Sequence, residues 1–404
     1  MEDKKITNLT EEVKWCGVLD YDIVTFDVVM ETKFGTTYNS YFLDADKKAI
    51  IDTVKEPFWE TYREKLMKVC HPSELEFIVL NHTEPDHSGC LRYLLELAPN
   101  ARVVGSGNAI RYLKDLMYPE FPYIIVKDGD TLDLGNKTLQ FISAPNLHWP
   151  DTIYTYLVED KILFSCDSFG CHYCREEVFD DQVGDFDEAF RYYFEVILRP
   201  FSKYMLKAIE KINRLDIKMI APGHGPVLRS SWEKYVSLSR ALSEEYLKLP
   251  LRHKVFVAYV SAYHKTGLLA QEIADGILSE GDFLVDIVDI EKTPIGDLEQ
   301  KVAESEAIVI GSTTINQNIL LPVYKLFSVI NPIRDKGKIA GGFGSYGWSG
   351  ESSEMIRTNL QNLKLNYLGE GIFVKFSPDE AERKAAYDYG RLIGQELLSV
   401  NKKA

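Results

Sequence analysis

From Val255 onward, short apolar runs alternate with longer amphipathic stretches of helical period. The strand-like runs are Val255–Val260, Phe283–Ile290, Ala307–Ile310, Lys338–Gly342 and Ile372–Phe376. The helical stretches fall around 267–279, 296–305, 321–330, 352–363 and 378–398. Parallel strands need a crossover between them, usually a helix, so this alternation predicts an α/β fold: a doubly wound, five-stranded parallel sheet with helices on both faces. Residues before about 245 read differently. They hold many short β-rich runs, broken by turns such as Asp128-Gly129-Asp130 and Leu134-Gly135-Asn136, with helical stretches at Gly89–Leu97 and Phe186–Leu198. Leu242–His253 is largely polar, carries Pro250 and reads as a linker. Two domains are therefore expected, 1–250 and 251–404.

A chain of 404 residues suits two or three domains at ~150 residues each. Sixty-one acidic against forty-six basic residues leave a net charge of −15. That balance argues against nucleic acid or an anionic membrane as partner, since phosphate binding needs clustered Lys and Arg. The start, Met1 to Lys5, is polar and has no secretory character, and no apolar run approaches the ~18 residues of a membrane span. Six cysteines are too sparse for a disulfide scaffold. A soluble, cytoplasmic protein is expected.

The first half carries the segment Asn81-His82-Thr83-Glu84-Pro85-Asp86-His87-Ser88-Gly89, directly after the apolar run Phe77–Leu80. Four metal-capable side chains (His82, Glu84, Asp86, His87) thus crowd one loop at a strand end. Pro85 disfavours a helical Glu84, so an extended, folded-back loop is expected. Three later stretches repeat that context. Leu139–Ile142 leads to His148, Ile162–Phe164 leads to Asp167, and Lys218–Ile220 leads to His224. Any one such residue would be read as merely solvated; the set, which takes four of only eight histidines, would not.

In the second half, three loops follow the first, third and fourth strand-like runs. Ser261-Ala262-Tyr263-His264-Lys265-Thr266 opens a helix, where hydroxyls and free backbone N–H groups make a phosphate site. Ser312-Thr313-Thr314-Ile315-Asn316-Gln317 follows Gly311, and Gly344-Ser345-Tyr346-Gly347-Trp348-Ser349-Gly350 precedes Glu351. Ligands of doubly wound sheets sit at the strands' carboxyl ends, so these loops converge. Tyr346 and Trp348 offer an aromatic wall to a flat heterocycle, and the match is to a flavodoxin-like FMN domain.

The order H-x-[EH]-x-D-H, then His, Asp and His, resembles the metallo-β-lactamase fold, an αββα sandwich. Hydrolases of that fold usually have His where this chain has Glu84. The exchange makes four imidazoles and three carboxylates, a set that suits iron better than a two-zinc hydrolase site. Two ferrous ions bring +4 and the carboxylates −3, so one hydroxide balances the core. A lactamase-like domain followed by a flavodoxin-like one resembles the flavodiiron proteins over almost the whole chain, including Gly35-Thr36-Thr37-Tyr38-Asn39 and His148-Trp149-Pro150-Asp151. The resemblance implies one iron on His82, Glu84 and His148, another on Asp86, His87 and His224, Asp167 bridging both, and FMN on the three loops. It implies reduction of dioxygen to water, of nitric oxide to nitrous oxide, or both. It implies a head-to-tail homodimer, or a dimer of dimers, that sets one chain's FMN beside the other's iron.

Two departures from the family stand out: Phe26-Asp27 occupies the place of a frequent nearby histidine, and Thr313 that of a frequent proline. His71, His172 and His253 receive no metal role, nor does His264. Cys171 and Cys174 form a lone Cys-x-x-Cys, read as ordinary thiols near the iron pocket. The chain ends after the last helical stretch without a fused rubredoxin module, so an external donor is expected, a rubredoxin or rubredoxin-like carrier with its reductase. Direct nicotinamide binding is not expected, because no Gly-x-Gly-x-x-Gly follows a strand. Two rivals are a zinc hydrolase of the lactamase fold with an added flavodoxin domain, and a non-catalytic electron-carrier flavoprotein.

Overall fold

A computed structural model of the chain describes residues 5–26, 30–117, 120–248 and 250–401. Contacts divide it into two compact units that meet between Tyr246 and Leu247. The helix Trp232–Tyr246 runs into the segment read as linker, so Leu242–Tyr246 is its last turn and not free chain.

The first unit stacks two sheets. The larger runs Thr7–Asn8, Val13–Trp15, Tyr41–Leu43, Lys48–Ile51, Leu75–Val79, Arg102–Gly105 and Tyr123–Ile125, antiparallel up to Lys48–Ile51 and parallel beyond it. The smaller runs Thr131–Asp133, Thr138–Ser143, Ile153–Leu157, Ile162–Cys166 and Met219–Pro222, with only the last pair parallel. Alternation along the strands explains the layering. Ile51, Phe77 and Val79 join Phe141, Ile153 and Phe164 in the core between the sheets. Their neighbours Ile50, Ile78 and Leu163 belong to the outer cores, among helix residues such as Leu66, Leu94, Met205 and Ile209. Buried on both faces, these strands read as continuous apolar runs, and the result is the expected αββα sandwich.

The second unit is the expected doubly wound sheet. Its order is Leu284–Asp289, Lys254–Tyr259, Ala307–Gly311, Ile339–Tyr346, and every pair is parallel. The fifth position is divided: Asn366–Tyr367 pairs with the start of Ile339–Tyr346 and Ile372–Lys375 with its end. Asn366–Tyr367 is too short to carry a sequence pattern. Helices Lys265–Leu278, Ile295–Glu304, Leu321–Val329, Ser352–Asn362 and Glu380–Asn401 follow the five predicted stretches. Among the described residues no helix is long and apolar enough to cross a membrane.

Candidate metal centre and flavin cavity

The metal-capable residues collect at one end of the sandwich, where strands of both sheets deliver their following loops. Leu75–Val79 leads to His82, Thr138–Ser143 to His148, Ile162–Cys166 to Asp167, and Met219–Pro222 to His224. One expectation is corrected here. Asp86 and His87 lie on a single helical turn, Pro85–Ser88, not on an extended loop. Pro85 does keep Glu84 non-helical, but its own fixed φ suits the first helical position.

All seven predicted ligands come together in two adjoining groups, His82, Glu84, His148 with Asp167, and Asp86, His87 with His224. Glu84 Oε2 is 3.1 Å from His82 Nε2 and 2.9 Å from His148 Nε2. Asp86 Oδ2 is 3.0 Å from His224 Nε2 and 3.5 Å from His87 Nε2. Asp167 stands between the groups. Its Oδ1 lies 3.0 Å from His87 Nε2 and 3.4 Å from His224 Nε2, while its Oδ2 lies 3.5 Å from both His82 Nε2 and His148 Nε2.

Several residues behind the ligands set their orientation. Asp52, in left-handed backbone at φ 56°, accepts from the Asn81 backbone N–H at 2.7 Å and so anchors the loop start. Asp151 accepts from Thr83 N–H and Oγ1 at 2.8 and 2.7 Å and faces His82 Nδ1 at 3.4 Å, a carboxylate backing an imidazole. His224 Nδ1 donates to Thr37 O at 2.6 Å. The Asn39 amide donates to Pro222 O and Gly225 O, which explains the Gly35–Asn39 stretch as a brace for the His224 loop. Gly223 must lack a side chain, because a Cβ there would sit 2.6 Å from the His87 ring.

Electrostatically the site is a nest of opposed charges. Burial pushes the Asp167 carboxyl up, yet the imidazoles of His87, His82 and His148 outweigh it and hold it well below the usual carboxylate range. Burial likewise disfavours charge on His82 and His87, and the surrounding carboxylates raise both well above an ordinary histidine. Both Asp86 oxygens, Asp167 Oδ2 and His224 Nε2 nevertheless lack a hydrogen-bond partner. Buried acceptors pointed at one another without donors between them fit divalent cations, and the oxygen-rich donor set fits iron.

In the second unit a cavity of about 680 Å³ opens at the strands' carboxyl ends. Of the predicted loop residues, Tyr263, Lys265, Thr313, Thr314, Ile315, Asn316, Gln317, Ser345, Tyr346, Gly347, Trp348 and Ser349 line it. Ser261, Ala262, His264, Thr266, Ser312, Gly344 and Gly350 are not among the lining residues. Gly344 belongs to the strand Ile339–Tyr346, where a Cβ would meet Ser312 O at 2.2 Å. Thr266 lies beneath, its hydroxyl 3.1 Å from those of Thr313 and Ser345, so one cluster ties the three loops together. Trp348 is 86% exposed and Tyr263 80%, aromatic surface left open among the described residues.

Two family models match in succession, an ODP family beta lactamase over residues 36–225 and a flavodoxin over 257–390. A flavo-diiron protein of Clostridium acetobutylicum is 38% identical, with 94% of this chain and 97% of that relative covered. The chain belongs to the flavodiiron proteins. A nitric oxide reductase of Moorella thermoacetica is 34% identical over 96% of this chain and 98% of its own. Among solved structures, the rubredoxin oxygen:oxidoreductase of Desulfovibrio gigas aligns with a TM-score of 0.72 at 27% identity, covering 98% of this chain and 99% of its own. The Giardia intestinalis flavodiiron protein gives 0.67 at 30%, covering 99% and 98%.

Sequence reasoning missed part of this flavodiiron protein's machinery. Phe376 and Ser377 line the cavity just past the last strand, which ends at Lys375, one residue before the end of the predicted run Ile372–Phe376. His172, given no role, packs with ring centroids 4.9 Å from His224. Its position five residues after Asp167, in the same strand-end segment, was the available signal. Cys171 and Cys174 are buried and form no disulfide. Asp27 lies outside the described residues.

Proposed function

We infer that this flavodiiron protein is an oxidoreductase that reduces dioxygen to water, nitric oxide to nitrous oxide, or both. The observation that carries the reading is the pair of ligand groups sharing Asp167. In it, His82, Glu84 and His148 would hold one iron, Asp86, His87 and His224 the second, and Asp167 would serve both. The residues lining the cavity of the second unit would hold FMN, with Ser261–Thr266 at the start of the helix Lys265–Leu278 offering groups for its phosphate and Tyr346 and Trp348 aromatic surface for its ring. Residues 1–250 thus form the di-iron domain and 251–404 the FMN domain.

When bound, the iron pair and a fully reduced FMN supply two electrons each, enough together for the four of dioxygen, while nitric oxide coupling needs two. The chain's own residues bind and orient. Asp151 and Thr37 fix the faces of His82 and His224, and the imidazoles around Asp167 favour its ionised form. The aromatic cage of Phe26, Tyr193 and His172 keeps bulk water from the Asp86–His87–His224 side. Electrons arrive from a rubredoxin-like carrier with its reductase, a reading supported by the name of the Desulfovibrio gigas neighbour. The working assembly is a head-to-tail homodimer, or a dimer of dimers, and its exposed Trp348 and Tyr263 are apolar surface suited to cover by a second copy. A cytoplasmic location accords with six free cysteines.

The deciding experiment measures iron, zinc and FMN content together with dioxygen and nitric oxide consumption on one anaerobic preparation. Iron near two per chain with gas consumption is expected. Zinc with esterase or lactamase turnover and no gas uptake would instead establish the hydrolase rival. An iron-free protein that still cycles FMN would establish the carrier.

A further inference from the structure

His172 is 3% exposed, yet one of its two ring nitrogens has nothing to bond. Nδ1 is engaged by Thr36 Oγ1 at 2.8 Å. Nε2 has no hydrogen-bond partner among the described residues. Burying a polar nitrogen without a partner is costly, and such groups call for a water or a ligand. The ring stands against Phe26 at 4.5 Å, Tyr193 at 4.8 Å and His224 at 4.9 Å, the last two edge-on. Phe26 and the Tyr193 ring can offer Nε2 no conventional hydrogen bond, and His224 Nδ1 is already committed to Thr37 O.

The contacts of Thr36 bear on which nitrogen carries the proton. The Thr36 hydroxyl has three neighbours: His172 Nδ1 at 2.8 Å, Thr37 O at 3.3 Å and His224 Nδ1 at 3.5 Å. The contact to His172 Nδ1 is the shortest of the three, and on that ground the hydroxyl's one proton is assigned to it. With Nδ1 accepting from the Thr36 hydroxyl, the ring N–H lies on Nε2. The nearest metal group is Asp86, His87 and His224, because His224 is in ring contact with His172.

We propose that His172, which binds no metal itself, is a hydrogen-bond donor of the iron pocket, and that its Nε2–H receives the small acceptor ligand held on the Asp86–His87–His224 side. This rests on the di-iron reading above. Thr36 is then the positioning residue that keeps the proton on Nε2.

The test uses the full chain, iron-loaded and oxidised, with azide as probe, titrated by its effect on the visible absorption of the iron pair. His172→Phe keeps an aromatic ring in the cage and deletes the donor, whereas His172→Gln returns an N–H. Expected are unchanged iron content, azide binding about tenfold weaker in His172→Phe, and binding within about threefold of the original in His172→Gln. Equal azide affinity in an iron-replete His172→Phe overturns the proposal. Should the Phe variant fail to hold iron, Thr36→Val decides: with iron retained, weaker azide binding supports the assignment and unchanged binding overturns it. A purely structural role would lower iron content or thermal stability without moving azide affinity at full iron, and that pattern also counts against it. Failure of the unsubstituted protein to take up iron is a separate signature: it would sink the di-iron reading, and the proposal with it.

Discussion

Asp167 presents one oxygen to His87 and His224 and the other to His82 and His148, so a single carboxylate serves both groups. Asp167→Ala should remove most bound iron and all gas reduction while leaving the flavin spectrum intact, because the flavin cavity lies wholly within the other unit. Iron analysis beside a visible spectrum checks this, and full activity would end the bridging assignment. Asp52 makes a subtler case. Burial, against the pull of His87 and the hydrogen bonds from Asn81, raises its carboxyl to about 6 from an ordinary 3.8. A raised folded-state value means that the protonated acid is favoured by folding. That stabilisation is full below about pH 4 and lost as pH rises through about 6, and it amounts to at most about 3 kcal/mol. In metal-free protein, Asp52→Asn should therefore lose the most stability relative to the original at low pH and the difference should narrow above 6. Urea midpoints at pH 4.5 and 7 measure it. The clustering of the seven candidate ligands was legible because His and carboxylates follow apolar runs visibly in the sequence. Asp52, Asp151 and His172 were not, since each acts across the fold on a partner distant in sequence and none stands out in composition.

At the level of elements, helices Lys265–Leu278 and Glu380–Asn401 approach so closely that glycines mediate the contact. A Cβ on Gly276 would lie 2.0 Å from Tyr387 O, and one on Gly390 would lie 2.0 Å from Ile273 O. Helix propensity alone predicts that alanine at either position stabilises by ~1 kcal/mol. Here the sign reverses. Gly276→Ala should instead destabilise the second unit by roughly 2–3 kcal/mol, since backbone must move apart. Thermal melts followed by flavin release would detect the loss, and a raised melting temperature would mean that the helices separate easily. The phosphate loop gives a second element-scale test. The Ser261 hydroxyl is buried without a partner, and Thr266 joins the hydroxyl cluster. Ser261→Ala with Thr266→Val should weaken FMN roughly tenfold or more while iron stays bound. Unchanged flavin affinity would mean that the phosphate lies elsewhere. The helix–strand alternation was readable to within a residue or two for most elements. Pro85–Ser88 was not, because the same proline that breaks a helix before it can begin one at itself. Asn366–Tyr367 escaped because two residues carry no periodicity.

For the whole molecule, the two units keep separate cores, and neither core cluster of the second unit contains a residue of the first. An iron site in one and a flavin cavity in the other can thus be disabled independently. If the chains pair head to tail as proposed, Asp167→Ala chains mixed with Ser261→Ala, Thr266→Val chains should recover part of the activity after subunit exchange, through the one intact mixed site of each heterodimer. No recovery in proven heterodimers would exclude electron transfer across chains. The ligands that meet at the end of the sandwich are drawn from positions 82 to 224 and from loops of both sheets. Iron bound there would add a further tie between chain segments that strand pairing and backbone hydrogen bonds already join, and so would act as a reversible cross-link as well as a reagent. A chain that has not yet loaded iron keeps its buried carboxylates facing one another with no cation between them, and it opens more readily to proteases. The abundance of the enzyme in a cell would then follow the iron supply through protein lifetime alone, with no change in gene expression.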